Sequence, residues 1–84
     1  MDPERLLEQL ESVAENLGID VRYSALDTDG GPCRIKNRRV IMINLHLPIT
    51  DKADVLARSL PAAELENVHL APAVRDAIDH AHRT

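Results

Sequence analysis

The segment Val40-Ile41-Met42-Ile43-Asn44-Leu45 constrains the fold most, because in an extended chain it is apolar on both sides. Alternate residues of a strand point to opposite faces. Ile41, Ile43 and Leu45 therefore line one face, and Val40 and Met42 the other. Neither face can be left wet, and at the end of a simple three-strand meander such a strand would be an aggregation hazard. Something must cover it. The candidates are Asn67-Val68-His69-Leu70 pairing alongside, helices packed over it, or a second copy of the chain.

Just upstream runs Gly30-Gly31-Pro32-Cys33-Arg34-Ile35-Lys36-Asn37-Arg38-Arg39, which holds the only cysteine and four of the ten Lys and Arg residues. Asp27 to Pro32 is loop chemistry. Cys33-Arg34-Ile35-Lys36 alternates, which predicts a strand with Cys33 and Ile35 inward and Arg34 and Lys36 outward. Asn37 tolerates positive φ, so the tight turn of a β-hairpin is expected around Asn37-Arg38. Ile19 to Ala25 also alternates and predicts a half-buried strand with Val21, Tyr23 and Ala25 inward.

Helices flank this region. Asp2-Pro3 reads as an N-cap followed by proline at the first helical position, with Glu4 near the positive end of the dipole. Leu6, Leu10, Val13 and Leu17, with Leu7 and Ala14, form an apolar face opposite Glu4, Glu8, Glu11 and Glu15, and Gly18 ends the helix. Thr50 is expected to cap a second helix from Asp51 to about Leu60, with Ala53, Leu56, Ala57 and Leu60 inward. Pro61 stops it, and Ala62 to Leu65 suits one further turn. Ala71-Pro72 opens a last helix to about His82, with Val74, Ala77, Ile78 and Ala81 inward and an Arg75–Asp79 pair at i,i+4. The pattern predicts one α+β domain over residues 1–84. It has an N-terminal helix, a three-stranded antiparallel sheet (four if Asn67–Leu70 joins) and two C-terminal helices packed on one face.

At 84 residues the core is small, since chains of this size bury only about 60–65% of their unfolded surface. With no Trp, no Phe and only Tyr23, it must be built from Leu, Ile, Val, Ala and Met. That shortage favours a chain that borrows surface by pairing with its own kind. The net charge of −4 is segregated: residues 1–29 sum to −6, residues 30–50 to +4 and residues 51–84 to −2. Such a bipolar domain suits a second copy or an acidic protein partner, although solvated helix faces account for most of the acid.

A single cysteine makes no internal disulfide, the N-terminus lacks an apolar leader, and no run approaches the roughly 18 apolar residues of a membrane span. The expectation is a complete cytoplasmic product with no membrane association. Chemistry has few footholds. Cys33 with Arg34 beside it is the candidate for a reactive thiol, because cations lower a thiol pKa; the plain alternative is a small buried hydrophobe in phase with Ile35. His80 and His82 sit about 200° apart on a helix, and His46 with His69 lacks further ligands, so no metal site and no cofactor is expected. Arg34, Lys36, Arg38 and Arg39 make a basic hairpin, but without interleaved aromatics in an acidic chain they do not favour nucleic acid. Gly30-Gly31 has no following Gly-Lys-Ser/Thr and forms no phosphate cradle.

Gly30-Gly31-x-Cys33-Arg34-x-Lys36, the turn, the hydrophobic strand, Leu56-Ala57-Arg58-Ser59-Leu60 and Pro72-x-Val74-Arg75 together resemble a small group of uncharacterised bacterial proteins. The likeness spans residues from about 5 to 79 and implies a stand-alone cytoplasmic protein without assigned activity. The strand followed by a helix is also topologically similar to the start of minimal zinc-peptidase cores. Those carry His-Glu-x-x-His, whereas Asp51 to Arg58 holds no histidine, so no site transfers. The functional expectation is a non-enzymatic interaction module, self-associating through Val40 and Met42. The alternatives are thiol chemistry at Cys33 and nucleic-acid binding by the basic hairpin.

Overall fold

The computed structural model describes residues 1–83. Helix α1 (Pro3–Asn16) leads into strand β1 (Asp20–Ser24), β2 (Gly30–Ile35) and β3 (Arg38–Asn44). Helix α2 (Ile49–Ser59), a 3₁₀ turn (Ala62–Leu65) and helix α3 (Pro72–Arg83) follow. Asp2 caps α1 by accepting from the Glu4 amide, and Gly18 takes φ +75° just beyond its end, where a Cβ would be disfavoured. Pro48, not Thr50, occupies the N-cap of α2: the Lys52 amide already bonds the Pro48 carbonyl, which draws Thr50 into the first turn.

The sheet order is β1-β3-β2, with β2 antiparallel to β3 and β1 parallel to it. The expected all-antiparallel arrangement is therefore corrected to a mixed sheet. After β1 the chain crosses the end of the sheet before descending as β2, and the hairpin inserts β3 between the two. Five residues, 25–29, make the crossing, enough to span two strand spacings. Asn44 at the end of β3 fastens it: the Asn44 backbone amide donates to the Asp29 carbonyl, and the Asn44 side-chain amide donates to the Leu26 and Thr28 carbonyls. The strand that occupies the second edge of β3 is therefore β1, which was not among the covers expected for it. Asn67–Leu70 forms no strand, so the sheet has three strands rather than four over the described residues.

The hairpin turn lies one residue earlier than expected. Lys36 and Asn37 both take positive φ, 50° and 68°, between paired Ile35 and Arg38, as a two-residue type I′ loop demands. At the far end of the ladder Gly30 takes φ +120°, and a Cβ there would lie 2.1 Å from the Met42 carbonyl oxygen, so only glycine fits.

All three helices contribute to one core. Leu7, Leu10 and Ala14 of α1, Ala53, Val55, Leu56 and Ala57 of α2, and Val74, Ile78 and Ala81 of α3 enclose Ile41 and Ile43 of the sheet. Leu60 and Leu65 close it. Arg75 does not pair with Asp79; its guanidinium instead donates to the Leu65 and Val68 carbonyls, tying α3 to the preceding loop. Leu45, expected in phase with Ile43, lies beyond the strand and is exposed.

Candidate functional site

The register sorts the candidate residues onto two faces. Arg39, Ile41 and Ile43 face the helices, with Val21 beside Ile41 and with Pro32 and Arg34 opposite Ile41 and Arg39. Val40 and Met42 face away, with Asp20 and Arg22 on one flank and Cys33 and Gly31 on the other.

This inverts the expected phase of β2. A two-residue turn pairs odd positions of β2 with even positions of β3, so Cys33 and Ile35 must share the face of Val40 and Met42. Because the helices choose the Ile41–Ile43 face, Cys33 is exposed and Ile35 is 38% exposed, against the inward placement the alternation suggested. Arg34 goes under the helices' side instead. The candidate pair Cys33–Arg34 thus falls on opposite parities of β2, although both residues line one cleft.

The helix-free face is mixed in character. Val40 is only 1% exposed yet stands outside the main core, Met42 is half-buried, and Cys33 and Ile35 are accessible. Around them Arg38 donates two hydrogen bonds to the Asp20 carboxylate at 2.9 and 3.0 Å, and Arg22 approaches the same carboxylate at 3.7 Å. The Arg38 bonds hold the Asp20 carboxyl below its ordinary range and raise the Arg38 guanidinium.

The basic hairpin is consequently less basic toward a partner than its sequence. Arg38 is committed to Asp20. Arg39 donates to Glu64 at 2.6 Å and to the Leu17 carbonyl at 2.7 Å, which lowers the Glu64 carboxyl and raises Arg39. Only Arg34 and Lys36 have no carboxylate partner among the described residues. Arg34 reaches the Asn37 carbonyl alone, at 3.4 Å.

On the helix side, a cleft of about 350 Å³ opens between the start of β3 and the end of α2. Ile19, Pro32, Val40, Ile41 and Pro61 supply its apolar lining, Arg34 and Arg39 its charge, and Cys33 also lines it. Ser59 also lines it, and the Ser59 hydroxyl is buried without a hydrogen-bond partner. The sequence reading missed this cleft because Ile19, the β2–β3 hairpin and the Ser59–Pro61 stretch come from three separate segments. The parity of a two-residue turn was the one available signal, since it sets Arg34 opposite Arg39.

No protein-family model, curated protein or solved structure matches this chain.

Elsewhere, the Tyr23 hydroxyl donates to Glu11 of α1, and Lys52 stands 5.9 Å from the Tyr23 ring. Burial and then the Glu11 carboxylate push the phenol up. Tyr23 lies at the rim and is 38% exposed, and Ala25 is exposed, so of the expected inward set only Val21 packs against the core. His46, His69, His80 and His82 are exposed, and no cluster of three or more His, Cys, Asp or Glu with metal-binding geometry occurs among the described residues. No helix among them is long and apolar enough to cross a membrane.

Proposed function

We propose that this chain is a non-enzymatic interaction module that pairs with a second copy of itself through the helix-free face of its sheet. The observation that supports this most is the placement of Ile35, Cys33 and Met42 around buried Val40 on a face that no helix covers. A sheet with one solvated face ordinarily carries polar residues there. Here the apolar strip is flanked by the Asp20–Arg38–Arg22 cluster, which supplies both signs of charge for a self-complementary rim. Val40 contributes support rather than contact area, because it is already covered within the chain. Residues Ile35 and Met42 make the contact.

Light scattering after size exclusion, over a dilution series, tests the reading. The expected result is a mass that falls from two chains to one on dilution, and a single chain at every concentration for Ile35→Asp. A wild-type chain that stays single at high micromolar concentration overturns it.

The exposure of Cys33 favours a second reading, thiol chemistry on the same face. Its test is alkylation rate against pH. A rate midpoint at or above the free-thiol value of about 8.5 removes it, and a midpoint well below supports it.

A further inference from the structure

We propose that the cleft between the start of β3 and the end of α2 binds a small amphipathic carboxylate, with the carboxylate between Arg34 and Arg39 and the apolar body against Pro32 and Pro61. The groups proposed to hold the ligand, Arg34, Arg39, Pro32 and Pro61, are not those proposed to make the self-association contact, although Cys33 and Val40 also line the cleft.

Two independent features converge there. Arg34 and Arg39 are direct cross-strand partners, so two guanidinium groups rise from the same face side by side. Like charges so placed repel, and Glu64 neutralises only Arg39. The pair keeps one uncompensated positive charge, matched by a monoanion. Arg34 is the free arm, because its only bond is the long one to the Asn37 carbonyl. A planar carboxylate suits this position, since guanidinium forks pair with it through two parallel hydrogen bonds.

The second is shape and lining. A volume of about 350 Å³ falls within the range of small-molecule sites, and mostly apolar walls with a few convergent polar groups are their usual composition. Ile19, Pro32, Ile41 and Pro61 offer no polar side-chain group to a sugar or a base, which selects a hydrocarbon body over a nucleotide.

The test is an amide-resolved NMR titration of the full chain with octanoate, beside octanol, octylammonium and acetate. Octanoate is expected to shift the amides of Arg34, Arg39, Ile41 and Ser59 saturably, with the three controls at least about tenfold weaker, as expected for loss of a charge-assisted contact or of the apolar body. Arg34→Gln should weaken octanoate by about tenfold and Arg34→Lys by less, because lysine keeps the charge and loses the fork. Octanol shifting the same amides as strongly, octanoate binding untouched by Arg34→Gln in a folded variant, or no saturable shift at millimolar octanoate would each overturn the proposal. If Arg34→Gln fails to fold, Arg34→Lys and the octanol comparison on the wild-type chain decide.

Discussion

The two faces of β3 are neighbours on one strand, yet they belong to different parts of the molecule. Ile41 and Ile43 are sealed into a core to which every helix contributes. Val40 is equally hidden but stands outside that core, among Asp20, Arg38 and Cys33. Each face also holds one arginine. Arg39 on the helix side bonds Glu64 and the Leu17 carbonyl, whereas Arg38 on the other side bonds Asp20 alone. The difference teaches that burial of an apolar residue does not by itself reveal whether it carries the fold. What matters is how many elements meet on it.

The largest effect should come from breaking the helix-side face. Ile43→Ala is expected to lower unfolding free energy by about 2–5 kcal/mol, read by urea denaturation. Met42→Ala, one residue along, should cost under about 1.5 kcal/mol because Met42 is partly solvated already. Equal losses would erase the distinction between the faces.

Gly30→Ala should follow, at about 2 kcal/mol or more, since the new methyl meets the Met42 carbonyl in a backbone conformation closed to L side chains. This loss strikes the β2–β3 ladder that holds both faces in register. A thermal melt within a degree of wild type would show that the ladder yields without strain.

A smaller change in the other direction is expected at the turn. Asn37→Gly should stabilise by roughly 0.5 kcal/mol, because position 37 already sits at φ 68° and glycine relieves it at the commonest second position of a type I′ loop. A fall in the denaturation midpoint would mean that the Asn37 side chain contributes a contact outweighing the backbone gain.

The smallest effect sharpens the contrast between the two arginines. Asp20 and Glu64 have carboxyls held below their ordinary values by the arginines, so their contribution is present above the unfolded-state pKa and lost as pH falls through the lower folded-state value. Both pairs are solvent-accessible and should weaken with salt. Melting temperature against pH should fall more gently below about pH 4 in Asp20→Asn and Glu64→Gln than in wild type. Arg39→Gln should melt lower than Arg38→Gln, because only Arg39 also holds the end of α1 through Leu17.

Much of the fold was legible in local chemistry. The start of α1 follows from an aspartate and a proline, its end from Gly18, and the apolar spacing identifies Leu10 and Ala14 as core. The 3₁₀ turn after Pro61 and the helix opened by Pro72 are of the same kind. The candidate site was less legible. Cys33 and Arg34 are adjacent in sequence and on opposite faces in space, and the charges of Arg38 and Arg39 are cancelled by acids 18 and 25 residues away. Nothing local to the hairpin announces either partner.

The sequence by itself determined the order of the helices and strands and the two ends of α1, because caps, turn residues and periodicity act over a few residues. It also determined that Val40–Leu45 needed cover, because both parities are apolar. Only the tertiary structure decided that β1 would run parallel beside it, which side of the strand the helices would take, and hence that Cys33 falls on the face away from the helices and Arg34 on theirs, both exposed. Those choices rest on contacts between segments far apart in the chain, where a single step of register exchanges every side chain between faces.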